Sequence, residues 1–154
     1  MAYSTILLKG ENPNIEEIVA NAAIAPGMLV EEMATGLVRA HATRNGNAAA
    51  VFALESELEG KGISDNCAAG EVVRLWHPAK GDQVYALLAD GESVVIGDFL
   101  GSNGDGYLKE IKGGDSAAED LPASIVAKAK EAVDRSTSSG GDTNVTGRIS
   151  VEVV

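Results

Sequence analysis

From Pro26-Gly27 onward the chain never sustains an apolar run long enough to build a large helix. Brief apolar runs are cut by turn residues at intervals of roughly 8 to 12 residues, the rhythm of an antiparallel sandwich or barrel. The runs are MLVEE (28–32), GLVRAHA (36–42), AAVFALE (49–55), EVVRLWH (71–77), DQVYALLA (82–89), ESVVIGDFL (92–100) and YLKEI (107–111). Their separators, Thr35-Gly36, Asn45-Gly46, Gly60 to Gly62, Lys80-Gly81-Asp82 and Asp90-Gly91, supply positive backbone φ angles, so the sequence predicts hairpins there. Within GLVRAHA, strict alternation points Val38, Ala40 and Ala42 inward and Leu37, Arg39 and His41 outward.

A core built this way is lean and aliphatic, because hydrophobic residues make up 45% of the 154-residue chain while aromatic ones make up only 4%. That length suits one compact body. Residues 1–25 stand apart from the body at 26–154. They hold a short β-like piece, Thr5 to Leu8, followed by NPNIEEIVANAAIA, in which Ile15, Ile18, Val19 and Ala22 align on one helical face. Two readings stay open for them: an extended or partly helical arm that docks elsewhere, or an edge strand and surface helix belonging to the body. At the other end, the AKAKEAV stretch within 123–136 has helical propensity yet also alternates like a strand, and the strand reading is preferred. The ending VTGRISVEVV alternates cleanly and predicts a strand.

A net charge of −11 repels phosphate backbones and anionic lipid headgroups, which argues against nucleic-acid and membrane partners. The start MAYSTILLKG has no basic segment leading into a continuous apolar one, so the expectation is a soluble chain made in a cytoplasm. The single cysteine, Cys67, has no neighbouring base and reads as a packing residue.

Four stretches invite a chemical reading. GDFLGSNGDGYL (97–108) is rich in glycine and aspartate, but as an EF-hand it would place Gly101 and Lys112 where acidic ligands are required. Asp98, Asn103 and Asp105 are the residual ion-binding candidates, and a tight turn is the favoured reading. Ser102 lacks the preceding glycine of a nucleophile elbow, since Leu100 stands there. His41 and His77 fall at strand positions without metal-ligand spacing and read as exposed or edge-packed. GISDNCAAGE (62–71) is similar to the deoxyuridine triphosphatase motif through Gly62, Asp65 and Gly70, which would make Asp65 the water-activating carboxylate. Ser64 and Ala68 break that motif, and the aromatic platform for the sugar is missing. Trp76 suits either a core cap or an interface anchor.

Taken in order, PGMLVEE, VFALESELEGKGISDNCAAGEVVRL, HPAKGDQVYALLADGESVVIGDFLGSNGDGYL, and AKEAVDRS followed by GRISVEVV resemble the capsid decoration, or cement, proteins of tailed bacteriophages. The most specific parts are ALE at 53–55, AAGE at 68–71, the Gly81-Asp82 pair, and GDFL linked to SNGDG. Cys67 and Ala68 stand where members often carry an aromatic residue. The resemblance implies a mainly β chain, a barrel or sandwich of jelly-roll or β-tulip-like form with an N-terminal arm, assembled as a homotrimer. It further implies a structural virion protein on the outer surface of the head that clamps major capsid subunits at three-fold and quasi-three-fold positions, with no catalysis, metal or cofactor. The expected contact residues are Asn12, Pro13, Ile15, Ile18 and Val19 in the arm, together with Trp76. The alternatives are a nucleotide hydrolase around Asp65 and a carbohydrate-binding β module whose ring platforms would be Trp76, Tyr85 and Tyr107.

Overall fold

The computed structural model describes residues 6–10, 14–111, 125–136 and 147–154. The chain is mainly β. Its strands are β1 (Leu7–Lys9), β2 (Ile15–Val19), β3 (Val30–Glu32), β4 (Val38–Ala40), β5 (Phe52–Ala53), β6 (Val72–Trp76), β7 (Gln83–Leu87), β8 (Ser93–Val94), β9 (Phe99–Ser102), β10 (Leu108–Glu110), β11 (Ala127–Ala129), β12 (Val133–Asp134) and β13 (Arg148–Val153). A single 3₁₀ turn, Glu57–Glu59, is the helical element among the described residues. Every ladder is antiparallel.

Sheet order departs from chain order. The main sheet runs β1-β7-β13-β11-β9-β10, a second runs β2-β6-β5, and β3-β4 and β12-β8 form two-stranded ribbons. The long β13 lies at the centre of the main sheet, paired with β7 from Arg148↔Leu87 to Glu152↔Gln83 and with β11 from Ala127↔Val153 to Ala129↔Val151. Its alternation, legible in the sequence, puts Ile149, Val151 and Val153 on the buried face beside Val84, Ala86, Ala127, Ala129, Leu100 and Leu108. The sheet curls far enough for Leu108 to form one isolated bridge with Leu88. Among the described residues no ladder completes a ring, so of the expected barrel or sandwich a closed barrel is not formed.

The second sheet separates two cores. On one face, Ala53, Val73, Leu75 and half-buried Ile18 pack with Ala20, Ile24, Val30, Val38 and Cys67. On the other face, the end formed by Phe52, Trp76 and half-buried Ile15 joins the larger core under the main sheet. Phe52 and Trp76 are fully enclosed, and truncating either to alanine removes about 3–5 kcal/mol.

The turn signals are real, but most do not make hairpins. Among the described residues, consecutive strands pair directly at β3–β4, β5–β6 and β9–β10, and of these β5–β6 is joined by the long 54–71 connection and not by a tight turn. Elsewhere Gly-Asp and Gly-Glu pairs turn corners between sheets. In 68–71, 79–82, 89–92 and 95–98 the fourth residue's N–H donates to the first residue's carbonyl, and the third residue is a glycine at positive φ. That combination is a type II turn, whose twist splays the flanking strands instead of folding them back together. One such corner splits the predicted strand 92–100 into β8 and β9.

Residues 15–19 form a strand, not a helical face, and they complete the second sheet with Ile15↔Trp76 to Val19↔Val72 in register. β1 pairs with β7, while Ile6, Ala20 and Ile24 are core residues. The described residues of 1–25 therefore contribute to both cores. AKAKEAV forms β11 and β12 with a bend between them, because tertiary pairing with β13, β9 and β8 outweighs its helical propensity.

Candidate functional site

The acidic residues singled out by sequence cap turns. Asp65 Oδ2 accepts from the Gly62 N–H at 2.7 Å, Asp82 Oδ2 from Ala79 at 2.8 Å and Asp98 Oδ2 from Val95 at 2.9 Å. In each case the same aspartate's N–H donates back to the carbonyl of the residue it caps, a reciprocal pair that rigidifies the turn. Asp105 serves the β9–β10 hairpin, where its carboxylate accepts from the Tyr107 N–H and from the Asn103 amide, all at 3.2 Å. Asp98 and Asp105 thus belong to different turns. Among the described residues no three His, Cys, Asp or Glu side chains converge on a metal-sized site. Glu71 caps the 68–71 corner and lies below the usual carboxylate range because Lys61 Nζ hydrogen-bonds it at 2.8 Å.

His41 corrects the strand reading of 36–42. β4 ends at Ala40, alternation stops there, and the imidazole turns inward to 2% exposure while Ala42 faces solvent. His41 Nδ1 lies 2.7 Å from Ser102 Oγ, and Nε2 lies 3.1 Å from the Asn47 carbonyl and 3.6 Å from Glu31 Oε2. A carbonyl can only accept, so Nε2 donates to it, and in the neutral ring Nδ1 then accepts from the Ser102 hydroxyl. Ser102 Oγ in turn accepts from the Gly104 N–H at 3.1 Å, which completes the network. The arrangement mimics a serine–histidine–acid relay, yet Ser102 is fully buried and nothing could reach its hydroxyl. It clamps the 41–47 loop to the β9–β10 turn.

Beside this clamp is a cleft of about 310 Å³. The β3–β4 ribbon, segment 47–51 and the end of β6 surround it, with Val30, Val38, Val51 and Leu75 as an apolar base and Glu31, Glu32, His41, Asn47 and His77 supplying polar groups. His77 Nε2 lies 3.0 Å from Glu16 Oε2, and Glu31 Oε1 accepts from Arg39 Nε at 2.9 Å. No sequence spacing announces this cleft, since its walls come from strands far apart in the chain.

Of the expected contact residues, Asn12 and Pro13 lie outside the described residues. Ile15 and Ile18 are half-buried between the cores, and Trp76 is wholly enclosed by its own chain, so it is a core residue that offers no surface to a partner or a sugar. Tyr85 is occupied too, with the Arg148 guanidinium 5.9 Å above its ring. Burial pushes Arg148 down from its ordinary pKa, against the pull of Tyr85 and Glu55, and its Nη atoms donate to the carbonyls of Pro26 at 2.7 Å and Ile63 at 2.8 Å. Cys67 is buried, and that burial, helped by Glu71, pushes its thiol up and keeps it protonated.

Among the described members of the expected contact set, only Val19 is substantially exposed, at 37%. Its ladder partner Val72 lines a shallow groove with Glu17, Ser56, Leu58, Glu59 and Arg74. A second apolar feature is more prominent. Val95 and Ile96 form the apex of the Asp98-capped corner at 60% and 68% exposure, and Phe99 follows on β9 at 45%. Apolar patterning alone predicts one continuous strand over 92–100 and hides this apex; the Gly97-Asp98 pair is the local signal of a corner.

No protein-family model matches the chain, and a search of curated proteins finds no match.

Proposed function

We propose that this chain is a noncatalytic capsid decoration, or cement, protein of a tailed bacteriophage. It is made in the host cytoplasm and binds as a homotrimer to the major capsid protein at three-fold and quasi-three-fold positions on the outer surface of the head, where it stabilises the expanded shell. In this reading the main sheet and the β2-β6-β5 sheet act as an open sandwich, a rigid mount for adhesive surfaces.

The observation that carries the proposal is the Val95-Ile96-Phe99 apex. It places large apolar side chains in solvent on a corner locked by its own backbone and Asp98. Exposed apolar anchors on a rigid support are what adhesion requires, since little conformational entropy is lost on docking. The capped aspartates and the buried Ser102 leave the enzyme-like motifs with structural work to do. Repetition supplies strength: three footprints on one trimer raise avidity over a single footprint by roughly 10² to 10⁴. Binding the expanded shell and not the disrupted one then stabilises the shell by mass action. The charge of −11 keeps free subunits soluble.

The test is co-sedimentation of the purified chain with undecorated tailed-phage heads, with native mass spectrometry of the free protein. The expected result is a trimer that pellets with heads, and an Ile96→Asp variant that folds normally but attaches about 30-fold more weakly, as for loss of a central anchor. A monomer with no affinity for any head would sink the proposal.

A further inference from the structure

The cleft between the β3–β4 ribbon and the end of β6 combines two features that do not need each other for folding. Its base is apolar: Val38 is fully buried, Leu75 and Val30 nearly so, and Ala48 and Val51 are half-buried. Its rim is acidic. Glu31 is engaged by Arg39, whereas Glu32 is exposed and has no ion-pair partner among the described residues. Glu16 adds a third carboxylate behind His77. His41 is buried and already engaged by Ser102 and the Asn47 carbonyl. Two carboxylates, Glu31 and Glu32, therefore line the cleft, with Glu16 behind His77 and one guanidinium, that of Arg39, on Glu31; the space has ample room for a long side chain.

We infer that this cleft is a receptor for one basic side chain, lysine or arginine, projected from a protein partner. Such a side chain has the matching division of chemistry, an aliphatic stem that gains by leaving water and a cationic head that stays at the rim. The charge pattern selects the occupant: an acidic or phosphorylated segment is repelled, and a purely aliphatic one leaves Glu32 unmatched. Some surface carboxylates are neutralised within the chain, as Glu71 is by Lys61 and Glu152 by Lys128 and Lys130. Glu32 differs in standing over an apolar cleft with no ion-pair partner among the described residues. A metal ion does not fit the site, because no cluster of ligating side chains converges there among the described residues. The identity of the partner rests on the proposed function, which makes it the major capsid protein; the preference for a cation stands apart from that reading.

Two measurements test this separately. In the first, the isotope-labelled full chain is titrated with acetyl-lysine N-methylamide and with its uncharged norleucine counterpart, following amide shifts by NMR. Saturable shifts at Val30, Glu32, Val38, Ala48 and His77 are expected with the lysine compound, with a dissociation constant on the order of 1 mM, as suits a ligand of this size. The norleucine compound should bind at least about tenfold more weakly, and Glu32→Gln should abolish most of that difference by removing one full charge. Equal binding of the two compounds, or no saturation with lysine, overturns the inference. In the second, Glu32→Lys is compared with Glu59→Lys for attachment to heads. The two carry the same change in net charge, and only the first is expected to weaken attachment, by about tenfold or more. Equal attachment of both variants overturns the cleft's part in docking even where the wild-type chain attaches. Failure of the wild type to attach removes the proposed function and leaves the titration to decide the cleft.

Discussion

The corners at 79–82 and 95–98 share one backbone and differ in what they display. Each is a type II turn with glycine third and aspartate fourth, φ of 93° at Gly81 and 98° at Gly97, and the aspartate accepting from the N–H that opens the turn. At the first corner the exposed second residue is Lys80; at the second it is Ile96. Backbone geometry does not demand the isoleucine, because its twin folds with lysine in that place. Folding does not require an apolar apex here, which leaves it free for the docking proposed above. A third corner, 25–28, varies the same theme inside the protein: Gly27 has φ 90°, and Met28 Sδ lies 3.4 Å from the Ala25 N–H where the others present a carboxylate.

These three corners can be set against one another by mutation. The largest effect is expected at Gly27→Ala. Its new Cβ would lie 2.5 Å from Arg148 Nη1 and 3.0 Å from the Tyr85 carbonyl, so steric conflict adds to the unfavourable φ. About 3–5 kcal/mol should be lost in urea unfolding, whereas Gly81→Ala and Gly97→Ala, with nothing within 4 Å of the new Cβ, should each lose only about 1–2 kcal/mol. Equal losses at all three would show that φ alone sets the cost. Next comes the exchange of apices. Ile96→Lys and Lys80→Ile should each leave stability within about 0.5 kcal/mol, but only the former should reduce attachment to heads. Parallel attachment losses would erase the functional distinction between the corners.

The smallest effect concerns the 68–71 corner and pH. Glu71 is held below its unfolded pKa by Lys61, Asp134 by Ser136, and Glu152 by Lys130. A carboxylate whose pKa is depressed by folding stabilises the protein above its unfolded pKa, and that contribution fades as pH falls through the carboxylate range. Melting temperature should therefore decline modestly from neutral pH toward pH values of about 3, and Lys61→Met should flatten part of that decline. An unchanged slope in Lys61→Met would remove Glu71 from the explanation.

Much of this architecture is readable along the chain, but unevenly. The strands of residues 28–111 and the terminal strand announce themselves through alternation and glycine spacing, since both act over a few neighbouring residues. β2 does not: IEEIV carries a helical pattern, and only the edge of β6 makes it a strand. His41 follows the outward parity of Arg39 in the sequence, yet its strand ends one residue earlier and the buried Ser102 hydroxyl draws it in. Trp76 at a strand end looked equally fit for a surface or a core until Phe52 and Ile15 closed over it.

Asp82, Asp98 and Asp105 can be assigned to turns from sequence because each capping bond spans two or three residues and depends on little else, whereas Asp65 makes the same bond inside a stretch whose sequence is similar to a catalytic motif. The cleft and the apolar apex could not. Sequence by itself determined that this chain would be β-rich, acidic and cornered by glycine, since alternation, charge and φ preference are local properties. Whether a corner joins partners or separates them, and which side chains share a face, was decided only by long-range pairing, because the neighbours that bury or expose a residue are supplied by strands distant in the chain.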